Sequence, residues 1–458
     1  MANYYTPGVY VEEISTLPPS VVEGSTAVPA FLGYTKKTEY NGTDRKLVPT
    51  RISTMLEFQQ YFGGPPAPVV TAKAKETTQF FDEISTYTSS IYTLYYSLDL
   101  FFKNGGNYCY IVSLGEYSPT TEFAKKNFED GLNSLEKEDE PTLIVMPDAC
   151  GLDVDAYYTI CQEALAQCKR LKNRFCILDV RPADAASNTS AVETFREKIG
   201  LKNLQYGAAY YPFLKTSISP ILDDAGITIT GLNDATTGST LKDIKTKYTG
   251  LYSAIKNELN NPKYKVVLPA SAAIAGVYAS VDRDRGVWKA PANVGLNAVI
   301  EPVTKITVAE QDKLNVDANS GKSINAIRSF TGKGIIVWGA RTLAGNDNEW
   351  RYVSVRRLFN LIEDSASKAT FFAVFEPNDA TTWLKVQSMI DSYLYSLWQQ
   401  GALAGPTAKA AYFVKVGLGS TMTTQDILEG RMIIEIGVAA VRPAEFIILR
   451  FSHKLQEA

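Results

Sequence analysis

The chain has 458 residues and a net charge of −3, enough length for a large core and for two or more domains. That charge balance excludes a global field drawing it to nucleic acid or to an anionic membrane surface. A hydrophobic share of 45% with 21% charged residues is that of a folded globular protein. Residues 1–24 read as an arm. Thr6–Ile14 sets Val9 and Val11 against Tyr10, Glu12 and Ile14, a two-faced strand pattern. Pro7 stands at its start, where a missing N–H is tolerated, and Thr16–Pro19 breaks it with two prolines. One short strand cannot bury itself, so it must pair with another sheet.

Residues 25–115 mix short strand runs with loops, including the turn-rich Phe62–Val70. A helix is predicted from Ser97 to Lys103, stopping at Asn104-Gly105-Gly106, and Tyr108–Ser113 reads as a buried strand. Residues 140–280 alternate strand and helix signals. Strands are predicted at Thr142–Met146, Phe175–Val180, Tyr206–Tyr211 and Lys265–Leu268; helices are predicted at Val154–Leu171, Ala191–Ile199 and Leu241–Leu259. Such alternation predicts a mostly parallel α/β layer structure. Thr216–Ser239 lacks periodicity and reads as an excursion.

Further on, Trp350–Ser365 places Val355, Leu358, Phe359 and Ile362 on one helix face. Thr382–Gln400 is a second helix, with Val386, Ile390, Tyr393 and Leu397 inward and Gly401 placed to end it. Strand-like runs follow at Ala411–Val416, Met432–Val441 and Glu445–Ser452, with a short helix at Thr423–Glu429. This C-terminal part reads as α+β.

The sequence gives little support to an enzyme. His453 is the only histidine and lies on a terminal strand, a poor place to hold an imidazole between nucleophile and carboxylate. Asp148 and Asp179 fall at strand ends, where α/β folds place catalytic acids, yet without a histidine they read as structural carboxylates. Ser320-Gly321-Lys322-Ser323 ends like a phosphate-binding loop, but Val316 occupies the place of the first glycine; it reads as a polar loop. Asp282-Arg283-Asp284-Arg285 reads as an ion-pair network fixing a long loop. Arg341, Arg356 and Arg357 suit planar pairing with carboxylates, which in a polymer would be those of neighbouring subunits. The five cysteines, Cys109, Cys150, Cys161, Cys168 and Cys176, contain no CxxC pair and read as buried reduced thiols, not metal ligands. No cofactor is expected. The first residues lack a basic segment followed by an apolar run, and no stretch reaches the ~20 apolar residues of a membrane span, so folding in the cytoplasm without membrane insertion is expected.

Several segments carry a family resemblance. They are YTPGVYVEEI at Tyr5–Ile14, VPAFLGYT at Val28–Thr35, DRDRGVWKAPANVGL at Asp282–Leu296, VWGARTL at Val337–Leu343, EWRYVSVRRLFNLIEDS at Glu349–Ser365 and the run Ala411–Ser452. Together they resemble contractile tail sheath proteins, the outer cylinder of phage tails and related injection machines. The resemblance implies an α/β and α+β multidomain chain. An outer, subtilisin-like α/β domain (25–345) would be inserted into an inner α+β domain built from 1–24 and 346–458. It also implies exchanged terminal strand arms, which turn the usual hazard of an open strand edge into assembly by β-augmentation. The arm residues would be Thr6, Val9, Tyr10, Val11, Glu12 and Ile14, and Glu445, Phe446, Ile447, Ile448, Leu449, Arg450 and Phe451. Gly24, Thr16–Pro19 and Arg442-Pro443 would be their hinges.

The same resemblance implies partners: further copies in stacked hexameric rings, an inner tube protein, and baseplate and terminator or cap proteins, with no nucleic acid. A tube contact would fall on Lys415, Thr423, Gln425, Asp426, Glu429 and Arg431. The final location would be a phage tail or a released extracellular injection particle. A type VI sheath fits less well, since that sheath divides its termini between two proteins. The rival readings are a hydrolase of subtilisin-like fold, against which the missing histidine counts, and a non-contractile shell or capsid protein.

Overall fold

The computed structural model describes residues 21, 23–75, 78, 80–118, 123–183, 190–232, 239–317, 319–446 and 448. The chain divides into two compact units. The larger is 25–361 with 442–458, the smaller 1–24 with 362–441. Residues 346–361 and 442–446 therefore group with the larger unit.

The larger unit is built on a nine-stranded sheet. Its order is Val294–Gly295, Gly334–Trp338, Asn325–Phe330, Gly207–Tyr211, Phe175–Asp179, Leu143–Val145, Pro29–Thr35, Cys109–Glu116, Thr50–Ile52. The six inner strands from Asn325–Phe330 to Cys109–Glu116 are parallel, and the outer ones are antiparallel. Helices cover both faces, which is why the inner strands are continuously apolar rather than alternating. Pro29–Thr35 shows the division. Phe31 enters one core with Phe101, Tyr210 and Tyr278, while Ala30, Leu32 and Tyr34 enter the other with Phe128, Tyr158 and Leu165.

The predicted strands at 142–146, 175–180 and 206–211 and the helices at 154–171 and 191–199 are present within a residue or two. Three expectations need correction. Val267–Leu268 is a strand, but it joins an antiparallel three-stranded sheet with Leu214–Thr216 and Val299–Pro302. Two paired residues show strand character without specifying a partner. The helix expected over Leu241–Leu259 is two, Leu241–Ile244 and Thr249–Leu259; Thr246, Thr249 and Gly250 lower helix propensity at the break. Asp282–Arg285 is the last turn of the Ser271–Arg285 helix, not a loop. Arg283 and Arg285 complement the negative end of the helix there. A further small sheet, Ile227–Thr230, Val69–Ala74 and Phe81–Thr88, has its own core of Val70, Ile229, Leu251 and Ile255.

In the smaller unit, Asp379 caps the Ala380–Gln399 helix by accepting from the Thr381 and Thr382 N–H groups, both at 3.0 Å. Gly401, at φ +84°, follows its end in the left-handed region that a Cβ disfavours. Val386, Ile390, Tyr393 and Leu397 are buried, as their spacing predicts. Tyr412–Val416 and Ile434–Val438 form an antiparallel ribbon, with Tyr412 and Val414 turned inward. The boundary between the units falls within the helix Val353–Thr370, of which Val355, Leu358 and Ile362 are buried. No helix of the described residues is long and apolar enough to cross a membrane.

Candidate assembly surfaces

The chemical candidates resolve first. In the parallel sheet the strand order reverses between Pro29–Thr35 and Leu143–Val145, the position where open α/β folds hold a ligand. Asp148 fills it. Its carboxylate accepts from the N–H groups of Tyr34 (2.8 Å), Thr93 (2.6 Å) and Leu94 (3.0 Å), and from the Thr93 hydroxyl (2.8 Å). A Cβ on Gly33 would lie 2.6 Å from its Oδ2, so glycine is required for the approach. Tyr34, Tyr92, Tyr117 and Phe123 pack against one another in tilted and edge-to-face pairs, at centroid separations of 4.8 to 5.5 Å. A carboxylate so enclosed and so fully supplied with donors is a structural joint.

Asp179 serves the same purpose at a helix start. It is buried, and its Oδ1 accepts from the Ser271 N–H at 2.8 Å. Burial raises its pKa from 3.8 to about 6, against the pull of that hydrogen bond. A carboxyl whose pKa rises on folding contributes most stability below its ordinary value and loses that contribution as pH rises through about 6. At about 1.4 kcal/mol per pH unit across that interval, the loss is about 3 kcal/mol. Urea midpoints of the wild type and Asp179→Asn, measured at pH 4 and pH 7.5, should therefore diverge. The Asn variant is expected to gain on the wild type as pH rises, and parallel pH profiles would refute the assignment.

The other candidates are also structural. Lys322 is buried and its Nζ donates to the Arg196 carbonyl, so Ser320–Ser323 is a polar loop with its lysine turned inward. The five cysteines are free; burial pushes the Cys161 and Cys168 thiols up to about 12, which keeps them protonated. No cluster of three or more His, Cys, Asp or Glu suited to a metal occurs among the described residues.

The arginines expected to reach other subunits have partners in their own chain. Arg357 pairs with Asp282, with both side chains at most 4% exposed. Arg341 pairs with Glu445. Arg356 lies over the Trp350 ring at 4.2 Å and donates to Asn360 Oδ1 at 2.8 Å. The sequence signal was a clustering of arginines; their partners lie 75 and 104 positions away, a distance over which no local pattern reports.

The assembly candidates divide by position. Thr6, Val9, Tyr10, Val11, Glu12 and Ile14 lie outside the described residues, as do Ile447, Leu449, Arg450 and Phe451. Glu445, Phe446 and Ile448 are described and belong to no strand. Phe446 is 71% and Ile448 77% exposed, so two large apolar side chains are uncovered among the described residues. Among the described residues the ribbon of the smaller unit has only two strands, so each presents an edge that no described strand pairs.

Thr423 and Asp426 form a capping box on the Thr424–Leu428 helix. Gln425 donates to Glu429 at 2.7 Å, and Arg431 bridges Asp426 (2.8 Å) and Glu429 (2.6 Å). Five of the six proposed contact residues are thus one polar cluster, exposed apart from the half-buried Asp426. Lys415 is not in it: it lies opposite Glu435 in the ribbon, with its ammonium 4.7 Å from the Phe413 ring centroid. Sequence reasoning missed the exposed apolar side chains of this unit, Phe371, Phe375 and Leu428. An aromatic run after a helix reads as core, and only the fold reveals it as surface.

Three comparisons bear on these surfaces. Residues 345–454 match the family model of the phage tail sheath C-terminal domain. The chain is 33% identical to the sheath protein in the contracted PVC extracellular contractile injection system, covering 99% of both chains with a TM-score of 0.64. It is 33% identical to that of the anti-feeding prophage helical sheath in its contracted state, covering 98% of this chain and 100% of the other with a TM-score of 0.66. Among curated proteins, the tail sheath protein of Vibrio phage KVP40 is 28% identical over 186 residues, 40% of this chain and 26% of that protein. The chain thus spans about a quarter of that relative's length and nearly all of the two injection-system sheath chains.

Proposed function

This chain belongs to the contractile tail sheath protein family, and from that premise we propose that it polymerises as stacked hexameric rings around an inner tube and contracts to drive the tube through a target envelope. Proteins of the family are structural, and relatives are contractile sheaths of phages and of the PVC and anti-feeding prophage systems. The observation that carries the proposal is the full-length likeness to two contracted sheaths at 33% identity.

In this reading, 25–345 forms an outer, subtilisin-like α/β body inserted between the two parts of an inner domain. The terminal segments add as strands to the open ribbon edges of neighbouring copies. Main-chain pairing of that kind tolerates rotation of the bodies, so rings can rearrange without dissociating. The exposed Phe446 and Ile448 support it, because apolar side chains left in water gain when a partner covers them. Small gains per subunit sum over many copies to supply the work. The chain folds in the cytoplasm, and baseplate and cap proteins bound the polymer. Negative-stain electron microscopy of the purified chain, alone and with its tube protein, tests this: long striated tubes are expected, and closed shells or persistent monomers would reject it.

The tube contact is assigned to the polar cluster around Thr424–Leu428 with Lys415. Exposed ion pairs contribute ~1 kcal/mol or less each and are screened by salt, which suits a contact that must slip. Lys415→Glu with Arg431→Glu should weaken tube co-sedimentation at low salt about tenfold, the effect of losing two such pairs, while tube-free contracted sheaths still form. Unchanged tube binding would place the contact elsewhere.

A further inference from the structure

The C-terminal segment is held at its base by its own chain. Arg341 is 3% exposed. Its backbone N–H donates to Asn325 Oδ1 at 2.8 Å and its Nη1 to the Asn315 carbonyl at 3.2 Å. The remaining guanidinium donors converge on one carboxylate. Nε lies 2.9 and 3.1 Å from the two Glu445 oxygens, and Nη2 lies 2.5 Å from Oε2. The Tyr352 hydroxyl donates to that same oxygen at 3.3 Å. Three residues earlier, Arg442 donates to the Asn348 carbonyl at 2.8 Å. Pro443 therefore stands between two residues whose side chains are tied to the larger unit. Immediately beyond Glu445 the side chains of Phe446 and Ile448 are in solvent.

A buried planar fork meeting a carboxylate through two nitrogens fixes direction as well as distance. An exposed lysine pair would do neither. The same device recurs near the other terminus, where Arg357 donates to the Thr26 carbonyl at 2.9 Å while paired with Asp282. We propose that Arg341 is a positioning residue: through Glu445 it sets the point and direction from which the C-terminal segment leaves the body. The segment then meets a second copy of the chain in one register, and movements of the body in contraction are transmitted through Glu445. This rests on the reading in which the terminal segments pair with neighbouring copies.

The test uses three full-length preparations, the wild type, Glu445→Gln and Arg341→Lys, beside a fourth lacking residues 446–458. Glu445→Gln and Arg341→Lys should keep the wild-type melting temperature within a few degrees. Amide exchange across 440–446 should accelerate about tenfold, the change produced by losing one charge-assisted hydrogen bond. Tubes should be fewer and irregular in helical rise and twist. Wild-type exchange and helical parameters in both variants would overturn the proposal. So would a melting temperature that falls in step with tube yield, since that marks a merely structural pair. The truncated chain separates the two levels: if it builds normal tubes, the exchanged-segment reading itself fails; if it builds none while Glu445→Gln behaves as wild type, only the role of Arg341 fails.

Discussion

Deletion of residues 1–15 is expected to leave a soluble, folded monomer that forms no tubes. The segment removed holds a two-faced strand pattern at Thr6–Ile14, too short to be stable without a sheet to join. Among the described residues, the cores of the larger unit begin at residue 27, in two layers against the nine-stranded sheet. Circular dichroism and melting should match the wild type within a few degrees. On the proposed pairing of this segment with a neighbouring copy, sedimentation and microscopy should show complete loss of polymer. Tubes of normal length from the truncated chain would remove the N-terminal segment from the assembly mechanism. A chain that instead precipitates or unfolds would show that the segment belongs to its own fold.

Elements with a strong local signal were legible in the sequence. The Val386, Ile390, Tyr393, Leu397 spacing and Gly401 place the Ala380–Gln399 helix, and apolar runs place Phe175–Asp179 and Gly207–Tyr211. Hydrophobic periodicity reports which face is buried, and capping residues report where an element stops. What it does not report is partnership. Val267–Leu268 was expected among the parallel strands and lies in a separate antiparallel sheet. Asp148 and Asp179 were placed correctly at strand ends. Their meaning came from Tyr34, Thr93 and Ser271, donors brought in from other elements. Arg341 and Arg357 looked like groups aimed outward because charge patterning has no memory of residues 75 or 104 positions away. For the candidate assembly surfaces the position is similar. The Thr423–Arg431 cluster is local and was legible as a unit, whereas the tie between Arg341 and Glu445 needed the fold.

The largest expected loss of stability comes from the Asp282–Arg357 pair. Asp282 sits in the last turn of the Ser271–Arg285 helix, and Arg357 follows the start of the Val353–Thr370 helix. Arg357 Nη1 donates to Asp282 Oδ1 at 2.9 Å, its Nη2 meets Oδ2 and the Thr26 carbonyl, and the guanidinium lies 4.6 Å from the Tyr278 ring centroid. Tyr278 in turn shares a 2.8 Å hydroxyl contact with Tyr210 at the centre of the sheet. Asp282→Ala leaves a guanidinium that is 3% exposed without its carboxylate. Breaking a buried pair on one side costs about 3–5 kcal/mol, because the surviving charge has lost its solvent and its partner. The Tyr278 face and the Thr26 carbonyl return part of that, so the lower end, about 3 kcal/mol, is expected. Removing both charges, in Asp282→Ala with Arg357→Met, leaves no stranded ion. The double variant should lose less than the sum of the singles by about 2 kcal/mol, as coupled neighbours do. Urea unfolding of the four proteins at pH 7.5 measures the cycle. Additive losses would mean that the two side chains act independently, and a loss below about 1 kcal/mol for Asp282→Ala would mean that Arg357 behaves as a solvated surface charge.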